Sequence, residues 1–332
     1  MAAPYLITLQ QVQRSDATAI NENDESGHDS GLEDDWSDTT SIDEEALRPV
    51  ESNGRLYHSY HAGRYPFPND KKEHDQHELL FQLLDRRLHL APIEAPRRVL
   101  DIGTGTGAWA INCADVYPCA AVLGIDLSPI QPAWVPPNCS FLVDDFLDSI
   151  ENENIDLFHA RGLTGSIPDL PKFVDSAYKS CAEGGWLEIS DWVLHFDNEN
   201  SIFCSWWKKM EEAAKKDGRS FQAPLEYCKN LEKSGFVNVA EHRYMIPMYE
   251  TGDPKVDRYV EWMIRNWSKG LEGFSLELMT KLGMSKDEVQ KLCALVLLEL
   301  NKMKISGHWE RYIVIGQKPE NNFSDAETLI GP

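Results

Sequence analysis

Long apolar runs are missing from this chain. None of its segments reaches the roughly 18 consecutive apolar residues that a membrane span requires, so a membrane is not an expected partner. Positive charge is also scarce. The 332 residues hold 32 Lys and Arg against 54 Asp and Glu, a net charge of −22. A chain with no basic excess is poorly matched to a phosphate backbone, and nucleic acid is not an expected partner either. There are 7 cysteines (113, 119, 139, 181, 204, 228 and 293), with no CxxC and no paired spacing. They read as reduced thiols of an intracellular protein. The N-terminus lacks the basic and long apolar regions of a secretory signal. With no clear basic import run, cytoplasm and nucleus are not distinguished.

The acidic charge is concentrated near the start. Residues 16–51 contain thirteen acids and one base, Arg48. Such a segment has too little apolar surface to offset its ordering entropy, so residues 1–52 read as a disordered acidic tail, with an interaction tail as the rival. Residues 53–97 form a capping segment. It opens on the aromatics Tyr57, Tyr60, Tyr65 and Phe67 and continues into a helix after Pro68-Asn69-Asp70, with Leu79, Leu80, Leu83 and Leu84 as its apolar stripe.

From Val99 the pattern alternates between strand and helix. Strands are expected at Val99–Ile102, Ala121–Ile125, Ser140–Val143, Ile155–Phe158 and Trp186–Ser190. Helices are expected at Ala108–Tyr117 and Phe173–Cys181, the latter closed by Gly184-Gly185. This order argues for an α/β fold with a mostly parallel sheet covered on both faces. Two later strands, Val237–Met245 and Arg311–Ile315, flank a helical stretch. They suggest an antiparallel sheet edge with a lid between. The expected domain is therefore residues 98–253 with 305–319, interrupted by a helical insertion at 254–304 and followed by a tail at 320–332. Trp206-Trp207 reads as core or lid packing.

The most informative motif is Arg98-Val-Leu-Asp101-Ile-Gly103-Thr104-Gly105-Thr-Gly107, with Gly124-Ile125-Asp126 one helix later. It describes a buried strand, a glycine turn, a helix and a second strand ending in a carboxylate. Three glycines let backbone approach a ligand that a Cβ would block. Asp126 stands where a carboxylate accepts hydrogen bonds from both ribose hydroxyls. A relaxed dinucleotide pattern, Gly103-x-Gly105-x-x-Ala108, fits the same residues, which keeps a nicotinamide oxidoreductase as a rival. Three features favour another ligand. Asp101 before the first glycine suits a cationic amino group. The third glycine lies within the turn. Asp144-Asp145-Phe146 ends the third strand, where a carboxylate can accept the adenine amine and the ring can stack. An adenosine carrying a charged amino acid and no phosphate is S-adenosyl-L-methionine. Thr104 and Leu127, beside the turn and Asp126, with Tyr60 and Arg64 from the capping segment, complete the candidate cofactor set.

Longer stretches resemble one family. Asn53-Gly54-Arg55, Tyr57-His58, Leu123–Pro132 (LGIDLSPIQP), Val135-Pro-Pro-Asn-Cys139, Asp156-Leu-Phe-His159-Ala-Arg161, Gly184-Gly-Trp-Leu-Glu188 and Tyr312–Pro319 resemble the fungal LaeA-like (UMTA/TAM-domain) methyltransferases. The resemblance covers residues 53–319. It implies a Rossmann-like class I methyltransferase fold, with a seven-stranded mostly parallel sheet and an antiparallel edge, and use of S-adenosyl-L-methionine. The family includes enzymes that methylate small natural products and a velvet-associated regulator of fungal secondary metabolism. This chain departs from the family after Asn69-Asp70, where Gln76, His77, Glu78 and Phe81 replace the usual residues.

Methyl transfer asks mainly for alignment, which supplies on the order of 7–11 kcal/mol in well-oriented systems. A base is needed only when the acceptor arrives protonated. His159, at the end of the fourth strand, is the candidate base or cofactor contact, and a backbone-bonded histidine is its plain alternative. Arg161 is a candidate substrate clamp, or else a partner of Asp156 or a loop carbonyl. Trp192 and His195 are candidate substrate residues. His58-x-x-His61 and His74-x-x-His77 have metal-like spacing but no companion ligands, so no metal is expected. The expected function is methylation of O or N on a small secondary metabolite. The rival is a methyltransferase-like regulator acting through a velvet-type partner.

Overall fold

The computed structural model describes residues 12–13, 48–52, 55–57, 59, 75–146 and 153–320. Most of the acidic stretch, the Pro68-Asn69-Asp70 helix opening, and residues 321–332 lie outside the described residues.

The chain runs through β1 (Val12–Gln13), β2 (Val50–Ser52), β3 (Arg55–Tyr57), α1 (Asp75–Leu83), β4 (Arg98–Ile102), α2 (Ala108–Val116), β5 (Ala121–Asp126), β6 (Cys139–Val143) and β7 (Ile155–Arg161). It continues through α3 (Leu170–Ser180), β8 (Cys181–Phe196), α4 (Ile202–Lys216), α5 (Tyr227–Ser234), β9 (Val237–Tyr249), α6 (Pro254–Lys281), α7 (Lys286–Leu300) and β10 (Lys304–Gln317). The main sheet has the order β6-β5-β4-β7-β8-β10-β9, and β1 adds a two-residue pairing beyond β9. Strands β4 to β8 are parallel, while β10 runs antiparallel to both β8 and β9. The seven-stranded sheet with an antiparallel edge is thus present. Between β4 and β7 the strand order reverses, and ligands of such sheets bind outside the carboxyl ends at that point.

Local chemistry explains most boundaries. Asp169 caps α3 by accepting the Lys172 N–H, with Pro171 in the first turn. Ser285 and Glu288 form a reciprocal capping box on α7. One expectation fails at the end of α3. The helix stops at Cys181, which is already extended, rather than at Gly184-Gly185. Pairing of Cys181 with Ile155 draws the chain into the sheet first, and Gly184 turns inside that strand region.

Strands β8, β9 and β10 are longer than their sequence patterns suggest. Beyond Ser190, which pairs with Arg161 at the end of β7, β8 runs on to Phe196. One face of this extension carries Leu194, Ile246, Trp309 and Ile313 into a core with Phe203, Trp206, Trp207, Val260, Leu276 and Val296 from α4, α6 and α7. Helix α1 joins this layer through Leu79, Leu80, Leu83 and Leu84. The Tyr259 hydroxyl of α6 donates to Gln82 O at 3.3 Å. The two other clusters lie on opposite faces of β4, β5 and β7, with Leu100, Ile125 and Phe158 against α3 and with Val99, Val122 and Leu157 against α2.

Candidate active site

The glycine turn is built on unequal glycines. Gly103, Gly105 and Gly107 all hold positive φ, at +66°, +57° and +78°. A Cβ on Gly103 would collide with Leu163, and one on Gly107 with the Phe141 ring. These two positions serve packing as well as chain direction. A Cβ on Gly105 would meet nothing within 4 Å among the described residues. Gly105 therefore faces open space at the strand-order reversal, the cradle that a nucleoside ligand needs.

Asp126 borders this space. Its carboxylate accepts the Gly105 N–H at 2.8 Å and the Ser128 N–H at 3.0 Å. Burial pushes its acid up to about 6, against these backbone donors. Gln131 donates to Gly105 O at 2.7 Å and to Ser128 O at 2.9 Å, tying the following loop to the turn. Leu127 is half-buried beside Asp126. Asp144 N–H donates to Asp126 O at 3.1 Å, so the third-strand acids sit next to the second. Asp145 is buried, and its N–H bonds the Asp144 carboxylate at 2.7 Å. Phe146 meets Phe173 edge-on, with centroids 5.1 Å apart. Thr104, Gly105, Gly107, Asp126, Leu127, Asp144, Asp145 and Phe146 are thus brought to one sheet edge.

Asp101 and His159 have other work in this geometry. Asp101 is 3% exposed and His159 is 2% exposed. One carboxylate oxygen of Asp101 accepts Thr104 Oγ1 at 2.6 Å, and the other lies 2.7 Å from His159 Nδ1. The imidazole is stacked on Trp109, with centroids 3.7 Å apart and planes 4° apart. Burial lowers the His159 pKa, with Asp101 opposing, so the ring is a neutral Nδ1–H donor. The candidate base or cofactor contact at His159 and the candidate amino-group contact at Asp101 are thus bonded to each other, and the alternative of a backbone-bonded His159 gives way to this side-chain partner. Strand β7 runs three residues past Phe158, which puts His159 inside the sheet rather than at its rim.

Arg161 takes the rim position. Its Nη2 lies 3.0 Å from His77 Nδ1, and the Asn112 amide lies 2.8 Å from His77 Nε2. A guanidinium only donates, so Nδ1 must be the lone pair and Nε2 must carry the proton. The Asn112 amide then turns its oxygen to His77. Burial, then Arg161, holds the His77 pKa down to about 4. The metal-like spacing His74-x-x-His77 is therefore spent on a contact with a cation. The Asp156 alternative for Arg161 is also closed, because Asp156 accepts the Arg97 and Arg98 N–H groups at the far end of β7.

The register separates the remaining two. Trp192 lies two residues beyond Ser190 and shares its face with Arg161, whereas His195 points to the opposite face. There His195 Nε2 lies 2.8 Å from Glu310 and the ring stacks on His308. His195, His308 and Glu310 could gather around a cation, but Arg243 stands 3.9 Å from Glu310 and already supplies positive charge. Tyr60 and Arg64 lie outside the described residues. Sequence reasoning missed His77 as a site residue, and it missed Arg311. The latter lies opposite Trp192 and donates through Nη2 to Ser190 O at 2.8 Å and to Ser190 Oγ. Only strand alternation hinted that Arg311 faces inward.

A sheet of this order, with a glycine turn after its first parallel strand and a carboxylate at the next strand end, defines an S-adenosyl-L-methionine-dependent methyltransferase of the Rossmann-like class. Residues 73–241 match the family described as Methyltransferase domain, and the chain belongs to it. It is 36% identical over 299 residues to methyltransferase pytC of Aspergillus terreus, covering 85% of this chain and 92% of that one. It is 31% identical over 294 residues to secondary metabolism regulator laeA of Fusarium oxysporum f. sp. lycopersici, covering 80% and 91%. In outline it also resembles phosphoethanolamine N-methyltransferase 2 of Haemonchus contortus in complex with S-adenosyl-L-methionine, at 18% identity and a TM-score of 0.46 over 74% of this chain and 53% of that one. No helix among the described residues is long and apolar enough to cross a membrane.

Proposed function

We propose that this protein methylates O or N on a small secondary metabolite of a fungal biosynthetic pathway. The open space over Gly105, bounded by Asp126, carries the reading. When bound there, S-adenosyl-L-methionine supplies a methyl group already activated by its sulfonium. The residues of the chain have only to hold and align. Asp126 releases the Gly105 N–H and accepts the ribose hydroxyls. Asp144 or Asp145 accepts the adenine amine, with Leu127 and Phe146 against the ring. Tyr60 and Arg64 are the sequence candidates for the amino-acid end. Asp101 and His159 position the turn from beneath, through Thr104. Arg161 and Trp192 line the acceptor side, under α1 and α6. Isothermal titration with S-adenosyl-L-methionine tests the reading: saturable binding supports it, and a flat titration removes it.

Likeness to laeA supports a second reading, in which the same fold regulates through a velvet-type protein partner, with the acidic segment as the contact. The site of action would then be nuclear rather than cytoplasmic. Co-purification with a velvet protein that survives Asp126→Ala would favour it.

A further inference from the structure

Two guanidiniums, one buried and one half-buried, have no bonded acid among the described residues. Arg311 is 1% exposed, yet among the described residues it bonds only Ser190 O and Oγ. Its Nε has no hydrogen-bond partner among the described residues. Its guanidinium lies 5.3 Å over the Trp192 ring. Arg161, on the same sheet face and directly opposite Ser190, bonds neutral His77. Neither arginine forms an ion pair among the described residues. Asp191 favours the Arg311 charge at longer range, but its own oxygens are taken by Thr164 N–H at 3.0 Å and by the Tyr227 hydroxyl at 2.7 Å. Asp101 and Glu188 favour Arg161 in the same distant way, and both are engaged elsewhere, Glu188 with the Leu90 and Ala91 N–H groups. Each arginine raises the free energy of the other's charge. Burial costs a cation several kcal/mol unless an acid joins it.

Space for that acid lies alongside. Gly162, the residue after Arg161, is exposed, and a Cβ there would meet nothing within 4 Å among the described residues, as at Gly105. The two open positions follow adjacent strands, β4 and β7. Arg161 therefore ends the strand beside the one that enters the cofactor cradle, and Arg311 adds a second positive charge on the same sheet face.

We propose, resting on the methyl-transfer reading above, that Arg161 and Arg311 together bind the acceptor as an oxyanion, a carboxylate or an ionised enol or phenol. An acceptor oxygen that arrives ionised forms its O–C bond with its own lone pair while the methyl–sulfur bond breaks towards sulfur. No proton is left over, which agrees with a site whose histidine His159 is buried against Asp101. The same charges lower the pKa of an enol or phenol as it enters.

The test uses the full chain loaded with S-adenosylhomocysteine at pH 8. Loading is measured first; if it fails, the methyltransferase reading fails, and every later result bears on the arginine pair alone. The loaded protein is titrated calorimetrically with 2,4-dihydroxybenzoate, with 4-nitrophenolate and with methyl 2,4-dimethoxybenzoate, an ester with no ionisable hydroxyl. An anion should bind tighter than the ester by about tenfold or more, as charge-assisted bonds to arginine allow. Arg161→Gln and Arg311→Gln should each abolish the preference, and Arg161→Lys should keep part of it. The tighter anion tells carboxylate from phenolate. Anions that bind no better than the ester, or not at all, or that keep their preference in both Gln variants, overturn the proposal. Should circular dichroism show Arg311→Gln unfolded, Arg161→Gln at the rim decides alone.

Discussion

Asp101 and His159, opposite one another on β4 and β7, share a 2.7 Å hydrogen bond inside the sheet. This pair joins the strand that precedes the glycine turn to the strand that carries Arg161. It makes His159 a brace. His159→Asn, which retains a donor, should lower kcat by less than about tenfold, whereas loss of a general base costs 10²–10⁴. His159→Leu leaves a buried carboxylate unsatisfied and should cost about 1–3 kcal/mol of stability by denaturant unfolding. A His159→Asn loss in the hundreds with an unchanged fold would return the base role to this residue.

Asp126 predicts a pH dependence of cofactor affinity. Its acid is raised to about 6 in the folded protein, and the ribose hydroxyls need the carboxylate form. Affinity should be full above that pH and fall about tenfold for each unit below it, since one pKa unit is 1.36 kcal/mol. Calorimetric titration with S-adenosylhomocysteine from pH 5 to pH 8 should show this slope in the wild type. Asp126→Asn should bind weakly and without it.

Gly105 and Gly107 should separate binding from folding. Both hold positive φ, which costs a non-glycine residue about 1–2 kcal/mol. Gly107→Ala adds a collision with Phe141 and should lower the Tm beyond that cost. Gly105→Ala meets no described atom within 4 Å. It should fold with the smaller loss yet bind S-adenosylhomocysteine much more weakly. Equal binding by wild type and Gly105→Ala would place the ligand elsewhere.

His77 should stay neutral far below the usual histidine range. Its pKa is held down to about 4, by burial first and by Arg161 second. The unfolded chain takes up a proton near pH 6.5, so folding is favoured above that value and loses stability as pH falls from 6.5 towards 4. Proton NMR of the His77 ring should show no titration above about pH 5. Arg161→Gln should raise the midpoint.

Much of this architecture was legible without coordinates. Alternation of short apolar strands with helices identified the parallel sheet, because side chains buried on both faces leave a pattern no surface element shares. The glycine turn was equally clear, since its positive φ favours glycine, and Asp126 followed from its place at the end of the next strand. The exact reach of β7 and β8 was not. The extra residues of β7 gain their place from pairing with β4 and β8, and those of β8 from pairing with β10, more than a hundred residues away, and no local signal records that.

The amino-acid order by itself settled the class of fold, the cofactor chemistry and the acids at successive strand ends, because each depends on residues close in the chain. Tertiary structure alone decided which charged groups meet. It turned Asp101 and His159 towards each other, placed His77 on Arg161, sent His195 to the far face, and brought Arg311 across to Ser190. Those outcomes follow from strand register, where a shift of one residue exchanges the faces of a sheet, and register is a property of the assembled core.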